Sequence, residues 1–256
     1  MLGQLFTQDF LKRGVIETPP NQALDAPLLT AFKATLQGIF KGLDAHATLN
    51  EAQTESEVIT QVLAVLGWGD STLPQVNLSN KRREDVPDML LFASKEAKAT
   101  ALPLKDDQRL RHGLALLEAK RWLRPLDRGD ASEPTDPDAP SSQMLRYLSR
   151  ADVVSDRAVK WGLLTNGAVW RLYWQDARSR SEEFFEIDLA AALSLPGIQH
   201  ELDELDDLGS TVPDHALRLF YLFFHRSAFL PQNWDNTQTT QRTFHAYALN
   251  EARLYE

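Results

Sequence analysis

Pro87-Asp88-Met89-Leu90-Leu91-Phe92 and, further along, Leu114-Ala115-Leu116-Leu117-Glu118-Ala119-Lys120 are two short apolar runs bounded by a breaker or by charges. That pattern belongs to strands buried on both faces. Side chains alternate along a strand, so Glu118 and Lys120 point to the same face. A charged pair on one face of a buried strand needs a reason. If Asp88 lies across the sheet from Glu118, two carboxylates converge beside a lysine, a grouping suited to holding Mg²⁺ and a water against a phosphodiester. Sharing one ion requires the carboxylates to come within about 4 to 6 Å of each other. Taken singly, Asp88 also reads as a strand-edge turn residue, and Glu118 and Lys120 as a pair at the exposed end of a strand.

The preceding helix has an apolar face of Val58, Ile59, Val62, Leu63, Val65 and Leu66, with Gly67 in Gly67-Trp68-Gly69 as its stop. Its start carries Glu51, Glu55 and Glu57. Glu57 is the candidate to complete a metal site, with Glu51 and Glu55 as rivals. Thr54-Glu55-Ser56-Glu57 also has the form of a capping box, in which Glu57 bonds the backbone of Thr54. Strands are expected near 75–78 and 86–92, then a charged excursion over 94–112, the strand ending at Lys120, and a loop rich in Pro, Asp and Ser between Arg124 and Ser142. A helix from Pro140-Ser141-Ser142 to about Val153 places Gln143, Arg146, Tyr147 and Arg150 on one face and Met144, Leu145, Leu148 and Ala151 on the other. The second face is core. The first carries amide, guanidinium and phenol donors, which suit phosphate oxygens or a base edge, or equally a solvated surface.

Asn166-Gly167 between the apolar runs 161–165 and 168–174 is a hairpin signal, and a further strand fits 184–188 before a short helix. Strands mixed with helices in this order predict an α/β domain. The expected organisation is an N-terminal helical extension at the periphery over 1–50, a core over 51–195 and a C-terminal helical segment over 196–256. That last segment opens on the acidic link Glu201-Leu202-Asp203-Glu204-Leu205-Asp206-Asp207 and carries helices over 216–224 and 237–255. The chain stops inside a helical pattern without a cap, which predicts a longer polypeptide leading into a further domain.

Without cysteine there is no disulfide, zinc-thiolate site or iron–sulfur cluster. The start lacks the pattern of a signal peptide and no apolar run is long enough to span a membrane, so a cytoplasmic protein with no membrane partner is expected. Net charge is −9, which argues against a general coater of nucleic acid. The stretch from Lys81 to Arg128 nevertheless holds 12 Lys and Arg against 8 Asp and Glu, and it contains Asp88, Glu118 and Lys120. The six histidines lack metal-ligand spacing. A phosphate loop with Lys-Ser or Lys-Thr, a Gly-x-Ser-x-Gly elbow and the Asn-Pro-Pro-Tyr type tetrapeptide of amino-methyltransferases are all missing from the sequence.

Glu57 before Leu66-Gly67-Trp68, Pro87-Asp88, Glu118-Ala119-Lys120 and Gln143 with Tyr147 together resemble the PD-(D/E)XK nuclease superfamily. The string Leu164-Thr165-Asn166-Gly167-x-x-Trp170-Arg171-Leu172-Tyr173 resembles the amino-terminal nuclease domain of type I restriction motor subunits and of fused type II restriction-modification enzymes. The resemblance implies a restriction-endonuclease-like α/β fold, a central mixed β-sheet flanked by helices. It implies Asp88 and Glu118 as Mg²⁺ ligands, with Mn²⁺ able to substitute, Glu57 as accessory ligand, and Lys120 facing the attacking water. By the same resemblance Gln143 and Tyr147 contact the active site or the DNA backbone. Beside two carboxylates the Lys120 pKa should rise, leaving an ammonium that orients water or stabilises phosphorane charge. The expected function is a Mg²⁺-dependent endonuclease domain of a restriction or phage-defence system acting on double-stranded DNA. A fused or separate methyltransferase, specificity or motor module would deliver the substrate. The alternative is a catalytically silent domain of the same fold that docks DNA backbone or protein.

Overall fold

A computed structural model describes residues 3–78, 85–129, 138–198, 214–232 and 241–254. It is an α/β structure built on one six-stranded mixed sheet in the order β1 to β6: β1 (Thr72–Pro74), β2 (Met89–Phe92), β3 (Gly113–Ala119), β4 (Trp161–Thr165), β5 (Val169–Trp174) and β6 (Phe184–Asp188). Neighbours pair antiparallel except β3 and β4, which run parallel. A parallel pair needs a crossover. It is supplied by the helix Pro140–Val154, while β2 and β3 are joined through the short helices Lys95–Ala101 and Asp106–Leu110 where a charged excursion was expected.

Strand alternation divides the side chains between two layers. Met89, Leu91, Ala115, Leu117, Leu163, Trp170, Leu172, Phe185 and Ile187 face the larger core, whereas Leu90, Phe92, Leu116, Leu164 and Tyr173 face the crossover helix. The larger core is roofed by α1 (Gln8–Lys12), α2 (Pro19–Ala23), α3 (Ala26–Ile39) and, from far along the chain, the helix His215–Phe224. The last of these is apolar on nearly every side and accordingly buried, with Leu217, Leu219, Phe220, Leu222, Phe223 and Phe224 all covered. Phe223 meets Phe6 and Phe185 at ring-centroid distances of 4.6 Å, and Phe220 meets Trp170 edge-on at 5.6 Å. Residues expected at the periphery thus supply core: Phe6, Phe10, Phe32, Leu36 and Phe40 belong to the same cluster as the strands.

Three local expectations are corrected. The stretch 75–78 is not a strand, because Gln75 adopts φ 55°, outside the extended region, and β1 ends at Pro74. The helix before Gly67 begins at Glu51, where Asn50 and Gln53 form a reciprocal capping box, so Thr54 and Glu57 lie inside it and cap nothing. It runs through α4 (Glu51–Gln53), a π turn (Thr54–Ile59) and α5 (Thr60–Val65), and Gly67 ends it at φ 79° as expected. The β4–β5 hairpin closes between Asn166 and Val169, which makes Gly167 and Ala168 its central pair. Part of the helix expected over 237–255 lies outside the described residues; Phe244–Leu254 is helical.

Candidate active site

β2 and β3 pair with Met89 opposite Leu117, and one further step of that register sets Asp88 opposite Glu118. On its other side the Asp88 carbonyl accepts from the Gln75 amide at 2.9 Å, one step past the Pro74–Met89 pair of β1 and β2. Directly opposed residues of an antiparallel pair share a face, with Cβ atoms about 4.5–5.5 Å apart. Asp88 Oδ2 accepts from the Ala119 amide at 2.7 Å, which fixes its carboxylate against the end of β3. Lys120 follows β3 on the Glu118 face. Its amide is held by the Thr165 carbonyl at 2.8 Å, and its Nζ donates to Glu118 Oε1 at 2.7 Å. Both side chains are almost wholly buried, at 4% exposure each.

Burial first, and then the Asp88 charge, pushes the Glu118 carboxyl up to about 8, against the pull of Lys120. Asp88 is also raised, by burial above all, with the Ala119 amide and Lys120 opposing. Burial works against the Lys120 ammonium, but Glu118, Glu51 and Asp88 outweigh it and hold the lysine above its ordinary value. One ammonium therefore does not compensate two carboxylates packed this closely. Glu118 Oε2 is buried and has no hydrogen-bond partner. An acceptor of that kind is costly to bury, and a divalent cation between Glu118 and Asp88 would satisfy it. Among the described residues no three His, Asp or Glu side chains converge with metal-site spacing. The protein's share of a Mg²⁺ shell would therefore be this pair, with water and phosphate oxygens completing it, the way this ion is commonly bound.

Glu57 does not join the pair. It is exposed on the solvent side of its helix, because residues two apart do not share a face. Glu51 and Glu55, one helical turn apart, are near enough for their charges to be felt at the site: the Glu51 charge raises Glu118 and Lys120, and that of Glu55 raises Asp88. Glu55 is itself raised, by burial and by Glu51.

The helix Pro140–Val154, α8 once α6 (Lys95–Ala101) and α7 (Asp106–Leu110) are counted, brings Gln143 and Tyr147 to the same region. Gln143 Nε2 donates to the Tyr147 hydroxyl at 2.8 Å. Tyr147 is a core residue, 4% exposed, instead of a member of an open donor face. Burial and then the nearby Glu118 charge push its phenol up to about 12. Arg146 and Arg150 are half exposed and converge on Asp85, whose side chain is 4% exposed: Arg146 Nε lies 3.0 Å from Oδ1, and Arg150 Nη1 contacts Oδ2. Arg146 also reaches Asp138 at 3.3 Å. Asp85, three residues before Asp88, was missed by sequence reasoning, since an acid beside Lys81-Arg82-Arg83 looks like one more surface charge.

Thr54 was missed as well. Buried in the π turn, its hydroxyl donates to the Asn50 carbonyl and accepts from the Trp122 amide, both at 2.8 Å, so the helix carrying Glu51 and Glu55 is tied to the chain just past Lys120. Gly167 closes over the same spot: at φ 84° a Cβ there would lie 3.0 Å from the Trp122 ring and 3.2 Å from Thr54.

Among the described residues no helix is long and apolar enough to cross a membrane. Comparison with family models, with curated proteins and with solved structures gives no match, so the functional reading rests on these residues and their geometry.

Proposed function

We propose that this chain is a Mg²⁺-dependent DNA endonuclease domain with a restriction-endonuclease-like core, of the PD-(D/E)XK type. The observation that carries the reading is the register-opposed Asp88 and Glu118, with Lys120 bonded to Glu118 beside them and a buried Glu118 oxygen left without a hydrogen bond. Asp88 and Glu118 would hold the ion; Mn²⁺, with similar oxygen preference, would substitute. When bound, the ion supplies Lewis-acid charge at the phosphate and lowers the pKa of a water. Lys120, kept protonated by its carboxylate neighbours, orients the attacking water and offsets charge that develops on the phosphorus oxygens. Gln143, held by Tyr147, presents an amide to the substrate beside Glu118. Arg146 and Arg150 flank it and contact backbone phosphates, positioning the duplex without reading its sequence. Glu51 and Glu55, and not Glu57, are the accessory carboxylates.

Net charge of −9 leaves little general attraction for DNA. The double-stranded substrate is therefore delivered by a fused or separate methyltransferase, specificity or motor module, in a restriction or phage-defence system of the cytoplasm. The test is nicking or linearisation of supercoiled plasmid by the purified chain in Mg²⁺ or Mn²⁺, with EDTA and Glu118→Ala as controls. Cleavage is expected in the wild type alone; cleavage that survives both controls would overturn the assignment.

A further inference from the structure

Two strands along from Glu118, the same sheet face buries a second charged group. Register sets Glu118 beside Leu164, Leu164 beside Arg171 and Arg171 beside Glu186, so Arg171 lies in the same row as the Asp88–Glu118 pair. Its guanidinium is 5% exposed, stacks 4.4 Å from the Phe184 ring centre and contacts Glu186 through Nε. Its two remaining nitrogens grip Asp127 in a two-pronged bond, Nη1 to Oδ1 at 2.5 Å and Nη2 to Oδ2 at 2.6 Å. Asp127 itself is 63% exposed and belongs to no strand or helix.

Asp127 is the far foot of an arch that begins at Lys120. Between the two feet the arch is tied by Trp122 N–H to Thr54 Oγ1 and by the Arg124 carbonyl to Asn166 Nδ2, each at 2.8 Å. At the far foot it also fixes the start of α8: the Leu126 carbonyl accepts from the Ser141 amide at 2.9 Å, and the Asp127 carboxyl is held below its ordinary value by Arg171 first and by Ser141 last. The arch and α8 are the two segments that bring Lys120, Gln143 and Tyr147 to Glu118. Burying a guanidinium and a carboxylate costs desolvation energy that apolar side chains would not incur, so Arg171 and Glu186 are poorly explained as stabilising elements.

We propose that Arg171 is a positioning residue of the Asp88–Glu118–Lys120 site, acting through Asp127 to hold the 120–127 arch and the start of α8 in register with β3. This role rests on the nuclease reading. Two variants separate it from mere support of the fold. Asp127→Asn weakens the far foot while leaving the buried Arg171–Glu186 pair intact, and the amide oxygen of Asn still accepts one of the two guanidinium bonds. Arg171→Met combined with Glu186→Leu exchanges the pair for apolar groups of similar size, a change buried ion pairs commonly tolerate.

The experiment measures plasmid cleavage by the full chain, with kcat separated from KM, alongside thermal melts and amide exchange. Both variants are expected to melt within about 3 °C of wild type. Their kcat should fall at least about tenfold with KM changed less than about threefold, as misplacement of catalytic groups predicts. Amides over 121–127 should exchange faster. Wild-type kcat in either folded variant overturns the proposal, and so does a fall in kcat that only tracks loss of folded protein. If the wild-type chain alone cleaves no DNA with any metal, that outcome bears on substrate delivery and on the nuclease reading, not on the clamp. Exchange then decides the clamp, with faster rates at 121–127 in Asp127→Asn supporting it and unchanged rates overturning it.

Discussion

Glu118 is held in a setting that favours its neutral form. Its folded-state pKa of about 8 lies above its ordinary value of 4.5, so between these limits the folded chain keeps a proton that the unfolded chain releases. Stability contributed by this group therefore falls as pH rises from 4.5 to 8. Glu118→Gln removes that penalty: in EDTA the variant should melt above wild type at pH 8.5 and level with it at pH 4. An equal offset at both pH values would contradict the site's electrostatics. His245 works in the opposite sense. Complete burial holds its ring down to about 4, with only Nε2 bonded, to the Phe223 carbonyl at 2.9 Å. Its contribution is full above pH 6.5 and is lost as pH falls toward 4, on the order of 3 kcal/mol. Replacement by Phe, similar in shape, should flatten the acid limb of the stability curve measured in urea. The same strand-parity rule that linked Glu118 to Lys120 made the pair legible in the sequence, because it needs no knowledge of partners. Arg171 and Asp127, 44 residues apart, follow no such local rule.

At the scale of elements, the π turn over Thr54–Ile59 shows why Glu57, expected at the site, is exposed instead. Asn50-Glu51-Ala52-Gln53 and Thr54-Glu55-Ser56-Glu57 both have capping-box form, and only the first starts the helix. Once Thr54 sits inside the helix, its hydroxyl becomes the tie to Trp122 and Glu57 turns to solvent. Thr54→Val keeps the shape but leaves the buried Trp122 amide unpaired, which should cost about 1–3 kcal/mol in urea unfolding. An unchanged midpoint would show that the tie carries no weight. Strand existence was legible in β2 through β6 from short apolar runs bounded by breakers, turn residues or charges. The edge strand β1 was placed too late in the chain, since nothing local announces the left-handed turn at Gln75.

Over the whole molecule, the N-terminal helices, the sheet and the helix His215–Phe224 share one apolar cluster, joined by contacts such as His215 Nε2 to the Leu11 carbonyl at 2.9 Å. Unfolding should therefore be one cooperative transition, with tryptophan fluorescence and far-UV circular dichroism giving coincident midpoints. Two separated transitions would contradict this shared core. Long-range packing of this kind was not legible in the sequence, where the apolar faces of both ends are visible but their partners are not.

Whether Asp88 and Glu118 share a divalent ion can be measured without a delivery module or cleavable DNA. Mn²⁺ is titrated into the full chain by calorimetry, beside Asp88→Asn and Glu118→Gln. One saturable site in the wild type, lost in both variants with the fold intact, is the predicted result. Absence of binding in the wild type, or binding undiminished in the variants, would contradict it.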